Sequence, residues 1–384
     1  MRGKMSKRTF FILATAGIML SYYVFGYSDA IRGAVMPELL AEMKADYAAG
    51  GLLSALHYLG YCIAVLGFGV FAARVPKCWY MILANAAALA GVLLYLRAQS
   101  AVLACGIFIV GFALGMYEFC GNAMIRTIYP KEKRPKYVNI FSAMHSVGAV
   151  SAPLLLATLL GVGWIWKSAF AVVIPLIVVG LFFFGILRWD AGASSAGQGC
   201  RLRDYWSILR YPKLRAFFAM AFCYIAAESG VILWMVSFFC EKKGETAESA
   251  AHWLSLFFVF IAIGRFAGGF LVDRLGYKRA IRFAFPAAGL CILSAVLLGG
   301  TFSVALPVAG IFMSLIFPTL AAAISMGCGE KEDLVMGVFY SFSALGGLLN
   351  TYCVGQISAW FGMTTGFLVV AAMCAAGTWI ARKI

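Results

Sequence analysis

Long apolar stretches, interrupted at short intervals by charged residues, follow one another along the whole chain. Most are close to the roughly 20 residues that an α-helix needs to cross the hydrocarbon core of a bilayer. The interruptions give twelve candidate spans, numbered here 1 to 12, and the first apolar run continues to Leu39. The spans begin near Phe10, Tyr47, Trp79, Ala101, Tyr137, Ser168, Leu214, Ala250, Ala280, Phe302, Asp333 and Met363. The pattern predicts an all-α membrane protein with twelve transmembrane helices.

The longest connection between candidate spans separates span 6 from span 7. It runs from Trp189 to Lys213 and is rich in Gly, Ser, Ala and Arg, a composition typical of a flexible linker. Six spans precede it and six follow it. We therefore predict an N-terminal six-helix bundle (1–189), a cytoplasmic linker (190–213) and a C-terminal six-helix bundle (214–384).

The composition and the charge fit a membrane protein and argue against nucleic-acid binding. Hydrophobic residues make up 63% of the chain, charged residues make up 12%, and the net charge is +15. With a cytoplasmic N-terminus, most Lys and Arg fall in cytoplasmic tails and loops, near anionic lipid, which is the asymmetry that orients membrane proteins. We expect a multi-pass protein of the inner membrane of a bacterium, with both termini cytoplasmic and no nucleic acid bound.

Three carboxylates interrupt the spans themselves: Asp29 in span 1, Glu118 in span 4 and Glu228 in span 7. A charged side chain at the bilayer centre costs roughly 2.5 to 3.5 kcal/mol on insertion scales, so such a group faces the protein interior or a water-filled cavity and usually has a function there. A carboxyl in a poorly solvated cavity can load and release a proton near neutral pH. We predict that these three residues are proton-coupling groups.

An internal repeat relates the two halves of the chain. The segment GVFAARVPK, which begins at Gly69, ends span 2, and GFLVDRLGYK, which begins at Gly269, ends span 8, at an offset of 200 residues. The same offset carries Asp29 to within one residue of Glu228. In transporters built from two such halves, the substrate binds near the membrane midplane between them.

The loop after span 8 resembles the signature loop of the major facilitator superfamily. The matching residues are Gly269, Asp273, Arg274, Gly276 and Lys278, with Arg265 one to two turns upstream, whereas the loop after span 2 keeps Gly69, Arg74 and Lys77 but has Ala73 and Pro76. The resemblance implies two pseudo-symmetric six-helix bundles that commonly work as a monomer. It also implies a charge latch at the cytoplasmic gate, with Arg74, Arg265, Asp273 and Arg274 as the gating residues.

A narrower resemblance is to the fucose permease branch of that family, the proton symporters for fucose, galactose and glucose. In that branch, helix one carries an Asp before a Pro, and helix four carries Glu-x-x-x-Asn. The residues here are Asp29 with Pro37, and Glu118 with Asn122. The resemblance implies that Asp29 and Glu118 are the proton-coupling and sugar-contacting acids.

Four further residues are candidates for contact with the substrate. Asn122 lies four residues after Glu118, so both share one helix face and can hydrogen-bond adjacent hydroxyls of a sugar. His145 lies about two turns into span 5, where it faces either the cavity or a neighbouring helix. Trp234, six residues after Glu228, can stack on a sugar ring or simply pack. Asn350 in span 11 is an amide near mid-depth that needs a partner.

Arg32 gives Asp29 two possible roles. It lies three residues further on, where the two side chains can pair along the helix. A permanent pair would prevent Asp29 from releasing protons, whereas a pair that protonation breaks would be a switch. Arg32 can also contact an anionic substrate in a bidentate way, which favours an organic anion over a neutral sugar.

Motifs for catalysis and for cofactor binding are missing from the sequence. It has no Gly-rich phosphate loop, no nucleophile elbow and no His or Cys spacing typical of a metal site. We therefore expect neither an enzyme nor a cofactor, but proton-coupled symport of a sugar or another small polar solute by alternating access. The alternatives are proton-driven efflux of amphiphilic or anionic organic compounds, and a channel.

Overall fold

The computed structural model describes residues 6–71, 76–97, 100–187, 207–325 and 332–384. These residues form a nearly all-helical protein. Its α-helices are α1 (Lys7–Ala34), α2 (Met36–Met43), α3 (Tyr47–Phe71), α4 (Lys77–Tyr95), α5 (Ser100–Ile128), α6 (Arg134–Gly161), α7 (Ser168–Leu187), α8 (Pro212–Lys243), α9 (Ala247–Leu275), α10 (Tyr277–Leu298), α11 (Ala305–Ser325), α12 (Glu332–Phe361) and α13 (Met363–Ala381), and short 3-10 helices cover Lys131–Lys133 and Gly300–Val304.

Twelve helices in this part of the chain are long and apolar enough to cross a membrane. Each predicted span corresponds to one of them and begins within three residues of its predicted start. The prediction of an all-α membrane protein with twelve transmembrane helices is therefore confirmed. The predicted boundary between the two bundles lies mostly outside the described residues, which leave out 188–206.

Among the α-helices given above, α2 is the one that the sequence pattern did not predict as a separate helix. The apolar run to Leu39 is not one helix, because α1 ends at Ala34 and α2 begins at Met36 with Pro37 in its first turn. A proline lacks a backbone N–H and is tolerated in the first turn of a helix but not in its interior. Helix α2 buries Met36, Leu39 and Leu40.

Consecutive spanning helices alternate in direction, so both ends of the described chain lie at one end of the bundle. We call this end the terminal end and the opposite end, which carries α2, the α2 end. Helices α1–α7 (the first group) and α8–α13 (the second group) contact each other mainly through the pairs α1 with α8, α3 with α12, and α6 with α9, with smaller contacts of α2 with α8 and α1 with α9.

Close backbone contacts join the two groups at the α2 end. A Cβ atom added to Gly33 of α1 would lie 1.9 Å from the backbone oxygen of Ile232 in α8. Gly51 of α3 and Gly355 of α12 approach each other in the same way, with a Cβ on Gly355 only 2.7 Å from the Cα of Gly51. Side chains larger than glycine would separate the helices at these points, so the sequence permits a tightly closed α2 end.

Candidate functional site

A cavity of about 780 Å³ lies between the two groups of helices. Its lining comes from α1, α3, α5 and α6 of the first group and from α8, α9, α11 and α12 of the second. It extends from Asp29, His57 and Ile232, near the middle of the bundle, to Arg134, Ser325 and Met336, in the turns at the terminal end. The cavity therefore reaches the terminal end, while helix contacts close the α2 end.

All three intramembrane acids line this cavity, and each is partly buried. The hydroxyl of Tyr61 donates a hydrogen bond to Glu118 Oε2 (2.9 Å). The hydroxyl of Tyr224 donates to Glu228 Oε1 (2.6 Å). Each group of helices thus contributes one glutamate that is held by a tyrosine. A carboxyl held in this way is oriented by a neutral partner that remains in place whether or not the carboxyl carries a proton.

Asp29 is held differently, by an ion pair within its own helix. Arg32 Nη2 lies 2.5 Å from Asp29 Oδ1, and Arg32 is only 6% exposed. The Tyr58 ring covers the guanidinium, with 5.4 Å between Arg32 Cζ and the ring centroid. Arg32 is not part of the cavity lining, so its charge is directed to Asp29 and not to the cavity.

Asn122 and His145 also face the cavity. The Asn122 amide nitrogen donates to the backbone oxygen of Glu118 (2.9 Å), which fixes the side chain against its own helix. The His145 ring packs edge-on against Phe25, with 4.7 Å between the ring centroids. Both residues are therefore oriented by the protein and present a polar edge to the cavity.

Arg265 is the cavity cation that joins the two groups. It extends from α9, and its Nη1 donates to the Ser146 hydroxyl of α6 (3.1 Å). Its Nε is buried without a hydrogen-bond partner among the described residues. The sequence assigned Arg265 to a gate by resemblance, but the structure has its guanidinium in the same cavity as the three acids.

Trp234 and Asn350 lie outside this cavity lining. Trp234 is fully buried near the α2 end and packs edge-on against Tyr47, with 5.7 Å between ring centroids. The Asn350 amide nitrogen donates to the backbone oxygen of Ala226 (2.6 Å), which joins α12 to α8. In this conformation both residues connect helices, and neither is brought together with the acids.

The remaining predicted gating residues stand apart from the cavity. Arg274 is exposed in the last turn of α9. Arg74 and the side chain of Asp273 lie outside the described residues. Within the described ranges, no group of three or more His, Cys, Asp or Glu residues is arranged to hold a metal ion.

The tyrosines are the site residues that sequence reasoning missed. Tyr224 lies four residues before Glu228 on the same helix, so helical spacing could have identified it. Tyr61 is 57 residues from Glu118 and belongs to another helix, so no local pattern indicates that pair.

Known proteins resemble the chain over almost its whole length. A sequence model of the Major Facilitator Superfamily matches residues 18–351. The L-fucose-proton symporter of Escherichia coli is 21% identical, over 95% of this chain and 91% of its own length. The glucose/galactose transporter of Brucella abortus is also 21% identical, over 93% of this chain and 90% of its own length. The crystal structure of the transporter FucP in the outward conformation superposes with a TM-score of 0.68 at 20% identity, covering 97% of this chain and 99% of that one.

Proposed function

This chain belongs to the Major Facilitator Superfamily, a family of membrane transporters rather than enzymes, and we propose that it is a proton-coupled symporter of a sugar. The observation that carries the proposal is the shared cavity, to which each group of helices contributes one tyrosine-held glutamate. The proposed setting is the inner membrane of a bacterium, with both termini cytoplasmic and the protein working as a monomer.

The size and lining of the cavity support a sugar as the substrate. A volume of about 780 Å³ falls within the range of 300 to 1,000 Å³ that is usual for small-molecule sites. Carboxyl, phenol and amide groups of Glu118, Tyr61 and Asn122 can exchange hydrogen bonds with the hydroxyls of a sugar. Sugars are also what the relatives named above transport, according to their names.

Glu118 and Glu228 are the proposed proton carriers. Each carboxyl meets the cavity, where it can take up or release a proton, and each is held by a tyrosine and not by a cation. Asp29 is proposed as the fixed counter-ion of Arg32, because the two are already paired. A carboxylate with a permanent cationic partner is a poor proton carrier, since the partner stabilises the charged form.

Alternating access is the proposed transport step. The contacts at the α2 end would open as the two groups rock about the cavity, and contacts at the terminal end would replace them. The close glycine contacts support this step, because backbones that meet without intervening side chains can separate as rigid bodies.

Replacing Glu118 by Gln in the purified full-length protein tests the coupling. Proteoliposomes with an inward proton gradient would be supplied with labelled L-fucose, D-glucose or D-galactose. We expect Glu118→Gln to abolish proton-driven accumulation and to leave counterflow exchange partly intact, because the neutral amide preserves the binding shape but carries no exchangeable charge. Glu132→Gln, at an exposed site between α5 and α6, is the matched control. Full accumulation by Glu118→Gln would remove Glu118 from the mechanism.

Proton-driven export is the second candidate, favoured by the aromatic part of the lining. Phe25, Phe119, Phe258 and Phe317 face the cavity, and phenyl rings suit amphiphilic compounds. The same proteoliposomes decide between the two directions. When the proton gradient is directed inward, an exporter would expel an amphiphilic dye enclosed in the proteoliposomes, and it would not accumulate sugar.

A further inference from the structure

The charged groups around the cavity are not balanced once the known pairs are removed. Asp29 is neutralised by Arg32, which lies outside the lining. Glu118 and Glu228 are each held by a neutral tyrosine. When these two glutamates carry protons, Arg265 remains as an ionised side chain on the described lining.

Unlike Arg32, Arg265 forms no ion pair with a carboxylate among the described residues. Its one hydrogen bond goes to the neutral hydroxyl of Ser146, and its Nε is buried without a partner in the described part of the chain. A charged guanidinium within the membrane is costly unless an anion or ordered polar groups satisfy it. The vacant donor edge therefore favours an anionic ligand.

The chemistry of the anion follows from the geometry of the guanidinium. Its planar fork of N–H donors matches the two oxygens of a carboxylate. The rest of the lining offers Glu118, Tyr61, Glu228 and Tyr224 as hydrogen-bonding groups for hydroxyls. A ligand that satisfies both parts has a carboxylate at one end and several hydroxyls along its length.

We propose that the substrate is a sugar acid, a hexuronate or an aldonate, whose carboxylate binds Arg265 while its hydroxyls contact the glutamate and tyrosine groups. The proposal rests on the sugar symport proposed above and narrows its substrate class. The sequence indicated Arg32 as the residue that would contact an organic anion. The proposal assigns this contact to Arg265 instead, because Arg265 faces the cavity and Arg32 does not.

The position of Arg265 links this carboxylate to the transport step. Arg265 belongs to α9 of the second group, and Ser146 belongs to α6 of the first. A carboxylate at this point can accept hydrogen bonds from the guanidinium, which also donates to the Ser146 hydroxyl, while the proton of that hydroxyl goes to the Ser142 backbone oxygen (3.2 Å). Binding would therefore join the two groups at a contact that has to rearrange when they rock.

Binding measurements on the purified full-length protein test the proposal. The probes are D-glucuronate, D-galacturonate and D-gluconate, each compared with D-glucose, D-galactose and L-fucose by calorimetry or thermal shift at constant ionic strength. We expect wild type to prefer the acids. We expect Arg265→Gln to weaken the acids about 10- to 100-fold, the loss typical of a charge-assisted hydrogen bond, and to leave neutral sugars unchanged.

Two further variants keep the result interpretable. Arg265→Lys retains the charge but not the planar fork, and should fall between wild type and Arg265→Gln for the acids. Arg279→Gln, at an exposed site of α10, should behave as wild type. The unfolding temperature without ligand shows whether each variant is folded, and the preference of wild type does not depend on any variant.

The outcomes separate this proposal from the one on which it rests. If wild type binds and accumulates neutral sugars but not acids, the sugar-acid proposal is wrong and sugar symport stands. Equal weakening of acids and neutral sugars by Arg265→Gln would also overturn it, and would make Arg265 a counter-ion for Glu118 or Glu228. If no sugar of either class binds or accumulates, both proposals fail.

Discussion

Removing Asp29 alone, or together with Arg32, distinguishes a fixed ion pair from a proton carrier. Asp29→Asn would leave the Arg32 guanidinium 6% exposed with only the Tyr58 ring and neutral groups around it. Loss of one partner of a buried ion pair costs about 3 to 5 kcal/mol, because the remaining charge is uncompensated. The Asp29 side chain is 21% exposed, toward the cavity, so we expect the lower end of that range, about 3 kcal/mol of unfolding free energy.

The double variant Asp29→Asn with Arg32→Met leaves no charge behind. We expect it to lose about 1 kcal/mol, well below the sum of the two single losses, since replacing a whole buried pair by neutral groups of similar volume is often nearly neutral. The free energy of unfolding would be measured by SDS titration in mixed micelles for four proteins: wild type, Asp29→Asn, Arg32→Met and the double variant. Additive losses would refute the ion pair as a coupled unit.

Transport by the same four proteins completes the test. If Asp29 serves as the counter-ion of Arg32, the double variant should still accumulate sugar under a proton gradient, because Glu118 and Glu228 remain. If Asp29 carries the proton, the double variant should exchange sugar without accumulating it. The second result would contradict our assignment even if the stability cycle came out as expected.

Two further predictions concern the α2 end. Gly33→Val should hold α1 and α8 apart and abolish sugar uptake in proteoliposomes, because the added side chain begins 1.9 Å from the Ile232 oxygen. Gly67→Ala, whose Cβ meets nothing within 4 Å, should transport as wild type, and uptake at the wild-type rate by Gly33→Val would contradict the prediction. The hydrogen bond from Lys167, with a smaller contribution from Trp166, lowers the pKa of Glu42. This contact therefore stabilises the fold at pH values above the ordinary pKa of a glutamate, and the stabilisation is lost as the pH falls through the lowered pKa. The unfolding temperature should therefore fall less for Glu42→Gln than for wild type as the pH is lowered into the acid range. The difference should be small, since the Glu42 side chain is 40% exposed, and an identical fall for the two proteins would contradict the prediction.

The spanning helices could be predicted because their determinants are local. Twenty apolar residues in a bilayer have few alternatives to a helix, since unpaired backbone groups in hydrocarbon cost several kcal/mol each. Helix α2 was missed because its residues are as apolar as those of α1, and hydropathy alone does not mark a break. Pro37 was the available signal, and it was interpreted as part of a family motif and not as the first turn of a new helix.

The site was only partly predictable, for a reason that depends on sequence distance. The acids were found because a carboxyl in an apolar run is costly wherever its partners lie. The partners themselves depend on the packing of helices. Trp234 and Asn350 are candidates for substrate contact by sequence position, but their side chains point between helices, where Trp234 meets Tyr47 and Asn350 meets the carbonyl of Ala226. Depth in the membrane follows from sequence position, whereas direction around the helix axis requires the neighbouring helices.

The internal repeat preserves the scaffold more closely than the chemistry. The 200-residue offset that relates Asp29 to Glu228 also carries Glu118 to Pro318, and all four residues line the cavity. The second group therefore has its glutamate on α8, its first helix, whereas the first group has a tyrosine-held glutamate on α5 and an ion-paired Asp on α1. A buried carboxyl is costly wherever it lies, and the two tyrosine-held glutamates lie on helices that are not equivalent, so their common feature is the shared cavity and not a repeated position. A glutamate introduced at the repeat-equivalent position of Glu118, as Pro318→Glu, should accordingly fail to restore proton-driven accumulation to Glu118→Gln.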